Sequence, residues 1–297
     1  MKKLVKSCLP GVLGTELSKL NSAIKDHRRK KYISYYTAIR NLFKYRNIKY
    51  EIYDLQRIKK FKSSDTIFVL GSGPSLNLAK QKHIEAILKC DSFGINYSYL
   101  KKEIVPTFHQ FSWENNWSHK HQINTFSPYR KKYKDVVVFF HSKELFRMAH
   151  PRITPFFFPE NAICCLYDLP EAIILENERP FCRNDFDKTL FYRGTLSLVL
   201  DLISKLEYKN IILLGVDLNT PEHFFYDMPE MVEYTKMQKV IHDKDKFQYM
   251  IPKQNKNIPF DEYLYELKDY LLVENSVNLF VGYKSNMLYP KIPAYFD

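Results

Sequence analysis

The chain is poor in glycine, with 8 among 297 residues, about 3% where globular proteins average about 7%. Glycine is required where φ is positive or where a backbone must approach another group without an intervening Cβ. Each glycine of this chain is therefore informative. Cysteine is sparse too. The five cysteines, Cys8, Cys90, Cys164, Cys165 and Cys182, are odd in number and form no Cys-x-x-Cys pair. That argues against a disulfide scaffold and against a zinc ribbon. No run of 18 or more apolar residues occurs, so no transmembrane helix is expected. The opening Met1-Lys2-Lys3-Leu4-Val5-Lys6 lacks the unbroken apolar stretch of a secretory signal, and a cytoplasmic protein is expected.

Hydrophobic residues make up 45% and charged residues 26%, an ordinary balance that excludes disorder as the dominant state. The net charge of +12 is unevenly spread. Residues 1–62 hold 17 of the 45 Lys and Arg but 4 of the 33 acids, a balance of +13. The remaining 28 bases and 29 acids nearly cancel. A basic segment of this kind suits anionic lipid, a polyanionic glycan or nucleic acid, or is a solvated helix face. Within it Tyr32, Tyr35, Tyr36, Ile39, Leu42 and Phe43 recur at helical spacing between Lys and Arg. The expectation is a basic amphipathic helical extension over 1–62, without a clear strand, ahead of a folded domain over 63–297.

From Thr66 the pattern changes. Short apolar runs at Thr66–Leu70, Ser92–Ile95, Thr107–Phe111, Val136–Phe140, Ile211–Gly215 and Val277–Val281 predict strands. Helical spacing over Ser75–Lys89, Ser142–His150, Gly194–Leu206, Pro229–Val240 and Phe260–Leu272 predicts helices between them. This alternation implies an α/β fold, a Rossmann-like, mostly parallel sheet covered on both faces. Pro151–Pro159 fits neither pattern.

The strongest local signal is Thr66-Ile-Phe-Val-Leu-Gly71-Ser72-Gly73-Pro74-Ser75-Leu76. A buried strand runs into a Gly-x-Gly turn, and Pro and Ser open a helix. Free N–H groups at such a helix start, with no Cβ in the way, suit an anion. No Gly-Lys-[Ser/Thr] follows, so this is no Walker loop. Leu76 replaces the third glycine of the dinucleotide fingerprint, so NAD is disfavoured. Further on, Arg193-Gly194-Thr195 opens an apolar helix, and Ile211-Ile-Leu-Leu-Gly215-Val-Asp217 reads as a buried strand and its exit. Ligands of parallel sheets gather beyond the carboxyl ends of strands. Gly71, Gly73, Gly215 and Asp217 are expected to share one crevice, with Asp217 either orienting a ligand or serving as a turn aspartate. His109, His119 and His121 cluster around Trp113 and Trp117 without a supporting carboxylate or cysteine. That spacing favours packing, or a loop contacting sugar, over a metal site. Asp185/Asp187 and Asp243/Asp245 are the two Asp-x-Asp spacings, both in polar, loop-like sequence.

The ordered set Gly-Ser-Gly-Pro-Ser-Leu, Arg-Gly-Thr, Leu-Gly-Val-Asp and a late Lys-Ser-Asn-Met-Leu resembles the bacterial sialyltransferases of glycosyltransferase family 42 and their relatives, over roughly residues 64–290. The resemblance implies a single GT-A-like domain with a lid and a CMP-linked acidic nine-carbon sugar as donor. It implies that Gly71, Ser72, Gly73, Pro74 and Ser75 lie by the CMP moiety, together with Asn96, Arg193, Gly194, Thr195 and Ser285. The family carries Asn where this chain has Ser72. The resemblance further implies a histidine base, for which His242 and His223 both fit, and Tyr226 as donor to the departing phosphate.

Breaking the anomeric bond to a single phosphate passes through an oxocarbenium-like state. It needs a base for the acceptor hydroxyl, donors for the phosphate and exclusion of water. A monophosphate leaving group makes a divalent metal dispensable, and no obligatory cofactor is expected. The expected partners are the CMP-sugar donor and a glycan acceptor of a bacterial surface such as lipooligosaccharide or capsule. Peripheral contact of residues 1–62 with the anionic inner face of the membrane is a further expectation; a homo-oligomer is compatible with the sequence, and nucleic acid is not expected. A CMP-Kdo transferase of the same fold, or a non-catalytic polyanion-binding protein, is the alternative.

Overall fold

The computed structural model describes residues 50–52, 58–112, 121–122, 124–141, 163–167, 194–220, 222–236 and 259–296. Contacts divide the chain into Met1–Arg46 and Asn47–Asp297, and the sheet and the candidate site both belong to the second unit. The basic helix around Tyr32–Phe43, the helix over Ser142–His150 and Pro151–Pro159 lie outside the described residues.

The core is an eight-stranded sheet of β1 (Tyr50–Ile52), β2 (Thr66–Leu70), β3 (Asp91–Ile95), β4 (Phe108–Gln110), β5 (Val137–His141), β6 (Ile163–Tyr167), β7 (Asn210–Leu214) and β8 (Asn278–Val281). Its order is β1-β6-β5-β4-β3-β2-β7-β8. Every pairing is parallel. The α/β reading of the sequence holds, and all six predicted strands form with ends shifted by a residue or so. β1 and β6 are two more. β1 lies inside the stretch read as a helical extension, and Ile58, also inside it, joins the core. The strand-free reading of residues 1–62 is thus corrected: Tyr50–Ile52 pairs with Cys164–Leu166.

Three helices concern the site: α1 (Gln81–Leu88), α2 (Thr195–Ser204) and α3 (Phe260–Asn275). Tyr263, Leu264, Leu267 and Leu271 of α3 are buried, as their spacing predicts. They share a cluster with Leu198, Val199 and Leu202 of α2 and with Ile67, Val69, Phe93, Ile211 and Leu213, which alternate along their strands. Strand side chains alternate between faces, so Phe68 meets the other side. There it lies edge-on to Tyr295 and stacks with Phe296, which stacks in turn on His83 of α1. The segment from Pro293 to Phe296 bonds to the end of β8. Val281 N–H donates to Pro293 O, Tyr295 N–H to Val281 O and Phe296 N–H to Gly282 O.

The predicted helix Ser75–Lys89 is broken. A 3₁₀ turn over Pro74–Leu78 ends at Ala79 and Lys80, both extended, before α1 begins. From β2 the strands step outward through β3, β4, β5 and β6, and the chain then returns to the other side of β2 for β7 and β8. The order therefore reverses between β2 and β7, the point beyond which doubly wound sheets hold ligands.

Candidate active site at the switch point

The exits of β2 and β7 are zipped together. Gly71 N–H donates to Leu214 O and Gly73 N–H to Gly215 O, each at 2.7 Å. A Cβ on Gly71 would stand 2.3 Å from the Gly215 carbonyl oxygen, and Gly215 itself has φ +65°. Both glycines are thus dictated by the backbones' approach. Ser75 N–H donates to Asp217 Oδ2 at 2.7 Å, and a Cβ on Gly73 would stand 2.4 Å from that same oxygen. Asp217 therefore pins the start of the 3₁₀ turn, while its Oδ1 has no partner among the described residues. This corrects the expectation of free N–H groups at the helix start. Those of Gly73, Ser75 and Leu76 are all used internally. The N–H and hydroxyl of Ser72 have no hydrogen bond among the described residues, and Pro74 has no N–H to give.

The segment after Asp217 folds back on this loop. Phe224 N–H donates to Ser72 O at 2.9 Å, and the Asn77 side-chain amide donates to Phe224 O at 2.9 Å. His223 and Tyr226 are thereby brought beside the glycine loop. The His223 ring stacks on Phe225 at 4.9 Å and stands edge-on to Tyr226 at 5.1 Å. Burial, aided by the charge of Glu222, pushes the Tyr226 hydroxyl up to about 12. It therefore keeps its proton at neutral pH and can donate.

Asn96 follows β3 directly with φ +49°. Its Oδ1 accepts from Ser112 N–H at 2.9 Å, and Ser112 Oγ accepts from the Thr195 hydroxyl at 3.0 Å. Thr195 opens α2 next to Gly194. Asn96 and Thr195 are remote in sequence and meet because β3 and β4 are adjacent and α2 packs behind them. Ser285 is exposed in the turn after β8. Its neighbour Asn286 is buried and donates to Val216 O at 2.8 Å, fixing the Lys-Ser-Asn-Met-Leu turn beside Asp217. Arg193, His242, Trp113, Trp117, His119 and both Asp-x-Asp pairs lie outside the described residues. Among the described residues no three His, Cys, Asp or Glu side chains cluster, and no helix is long and apolar enough to cross a membrane.

Sequence reasoning passed over one member of this edge, Ser112, and read a second, His121, as packing or as part of a loop. Ser112 links Asn96 to Thr195. His121 reaches the aromatic group through Tyr97, whose hydroxyl lies 3.3 Å from His121 Nδ1, and Tyr234, 5.2 Å away ring to ring. Tyr234 in turn lies 6.4 Å from the His223 ring. Burial lowers the basicity of His121, and Glu233 partly restores it. The available signal for Ser112 was positional, since it stands just past the carboxyl end of β4.

No protein-family model matches the chain, and no curated protein matches it. Among the solved structures similar to the chain are two sialyltransferases. One is the monofunctional alpha-2,3-sialyltransferase Cst-I from Campylobacter jejuni, at 17% identity over 78% of this chain and 80% of that one, with a TM-score of 0.44. The other is a Tyr-to-Phe variant of the sialyltransferase Cst-II in complex with CMP, at 15% identity over 78% of this chain and 86% of that one, with a TM-score of 0.33.

Proposed function

We propose that the protein is an inverting glycosyltransferase that moves a nonulosonic acid of the sialic acid type from a CMP-sugar to a sugar hydroxyl of a bacterial surface glycan. One observation carries the reading. The Gly71–Ser75 loop, Asn96, Thr195 and Asp217 are scattered over 147 positions of sequence, and all stand at the carboxyl edge around the β2/β7 reversal. In this reading Ser72 and Asn96 face the nucleotide, and Tyr226 donates to the departing phosphate. A histidine, His242 or His223, takes the acceptor proton. An imidazole suits that task because its ordinary pKa lies near operating pH. Transfer requires no metal in this scheme, although a divalent ion beside the phosphate is compatible with it. The basic stretch within residues 1–62 would keep the enzyme on the anionic inner face of the membrane, near a lipid-linked acceptor.

The test is a thermal-shift series with CMP, UDP, GDP and NAD, followed by transfer assays with CMP-sialic acid and CMP-Kdo. At 100 times its dissociation constant a ligand stabilises by about 2.7 kcal/mol, so CMP should raise the melting temperature and NAD should not. His242→Ala or His223→Ala, whichever removes the base, should lower kcat by about 10²–10⁴ with CMP affinity intact. A response to UDP or NAD with none to CMP would refute the reading. Faster transfer from CMP-Kdo would move the donor to that sugar.

A further inference from the structure

The buried centre behind Asn96 is an imidazole. His109 of β4 is fully buried and sits opposite Gly94 of β3 in the sheet register. A Cβ on Gly94 would stand 2.4 Å from His109 Nδ1, so the glycine makes the space the ring occupies. His109 Nε2 lies 3.0 Å from Asn96 O, and Nδ1 lies 3.2 Å from the Tyr133 hydroxyl. A carbonyl oxygen only accepts, so Nε2 carries the proton. Nδ1 is then the acceptor, and Tyr133 donates to it. The partners dictate one tautomer.

Asn96 needs such a restraint. A non-glycine residue at φ +49° occupies the left-handed region, which side chains disfavour although Asn tolerates it best. It is held from both ends, by His109 at its carbonyl and by Ser112 N–H at Oδ1. With both oxygens engaged, the amide nitrogen Nδ2 is left without a partner among the described residues.

We propose that His109 is a positioning residue: its Nε2–H locks Asn96 in the left-handed conformation, so that the Asn96 side chain presents a free amide NH₂ at the carboxyl edge of β3. The further step, that this NH₂ serves the nucleotide, rests on the function proposed above. His109 touches no ligand in this scheme. It acts through Asn96, and the chain of contacts runs from Tyr133 through His109, Asn96 and Ser112 to Thr195.

The pair His109→Gln and His109→Asn in the full chain tests this. A Gln amide reaches about as far as Nε2, whereas an Asn amide stops at the level of Nδ1. The first readout needs no ligand: hydrogen exchange of the Ser112 N–H, which Asn96 Oδ1 protects. The second is the CMP dissociation constant, alone and in an Asn96→Ala background. We expect His109→Asn to speed Ser112 exchange about tenfold and to weaken CMP by a similar factor, the loss of about one hydrogen bond. His109→Gln should keep both near wild type. In the Asn96→Ala background His109→Asn should cost no further CMP affinity, although it still lowers the melting temperature. A purely structural role predicts the contrary, namely equal effects of Gln and Asn, or losses that multiply with Asn96→Ala; either result overturns the proposal. If the wild type binds no CMP, the nucleotide reading fails and Ser112 exchange alone decides, an unchanged rate in His109→Asn being fatal. Should His109→Asn not fold, His109→Met fills the same space with an apolar side chain that has no N–H for Asn96 O. Faster Ser112 exchange is then expected, and an unchanged rate overturns the proposal.

Discussion

Replacing Gly71 by alanine tests whether the β2 and β7 exits are zipped as tightly as their geometry requires. The new methyl would lie 2.3 Å from Gly215 O, 2.9 Å from the Gly215 carbonyl carbon and 3.3 Å from Leu214 O. All three are main-chain atoms, so no side-chain rotation relieves the clash and the two strand exits must part. Overpacking of this kind costs about 1–3 kcal/mol. Parting also weakens Gly71 N–H to Leu214 O and Gly73 N–H to Gly215 O, both at 2.7 Å, each worth about 0.5–1.5 kcal/mol. The sum is about 2–6 kcal/mol, and for a body of this size each kcal/mol lowers the melting temperature by about 2–4 °C. Gly282→Ala is the matched control. Its Cβ would stand 2.2 Å from Leu214 Cδ2 and no closer than 3.4 Å to main chain. A leucine tip can turn aside, and about 1 kcal/mol is expected. Urea unfolding of both variants against wild type measures the difference. If Gly71→Ala costs no more than Gly282→Ala, the close approach of the two exits is not a constraint and the argument for the loop fails.

Two further outcomes are expected. Asp91 is buried and accepts from Ser63 N–H, the Ser63 hydroxyl, Ser64 N–H, the Thr107 hydroxyl and the Tyr208 hydroxyl; Asp91→Asn turns one acceptor into a donor facing donors and should cost about 1.5–3 kcal/mol, against about 1 kcal/mol for Tyr208→Phe, both read from denaturant midpoints. Burial depresses His109 to about 3 from an ordinary 6.5, so the unfolded chain takes up the proton first, its contribution is full above 6.5 and is lost as pH falls toward 3, and its share of the drop in stability from pH 7 to pH 5 should amount to about 2 kcal/mol, measured as the amount by which the shift in urea midpoint is smaller in His109→Gln.

The parallel sheet and the glycine-bearing exits of β2 and β7 were legible in the sequence because they rest on local patterns. Thr66–Leu70 is an unbroken apolar run that ends in two glycines, and Asn210–Leu214 repeats the arrangement with one. β1 was not legible: Tyr50–Ile52 is three residues long and set among lysines, and its pairing depends on β6, more than 110 positions away. The internal wiring of the site was hidden for the same reason. That Asp217 binds Ser75, or that Gly94 stands opposite His109, follows from which strands are neighbours and in what register. Neither fact leaves a trace in spacing along the chain. The sequence suggested an open cradle of N–H groups at the glycine loop because it shows which donors exist and not which are already taken.

The end of β8 has a consequence for strand addition at this border of the sheet. A strand at the border of a sheet offers a row of unpaired main-chain groups to any passing chain. Here Pro293, Tyr295 and Phe296 take up the groups of Val281 and Gly282 at the end of β8, while the rings of Tyr295 and Phe296 cover Phe68. The same short segment thus shields both a hydrogen-bonding template and a hydrophobic surface. Removing it would uncover the two together, the combination from which intermolecular strand addition begins, although the segment adds no strand to the sheet order.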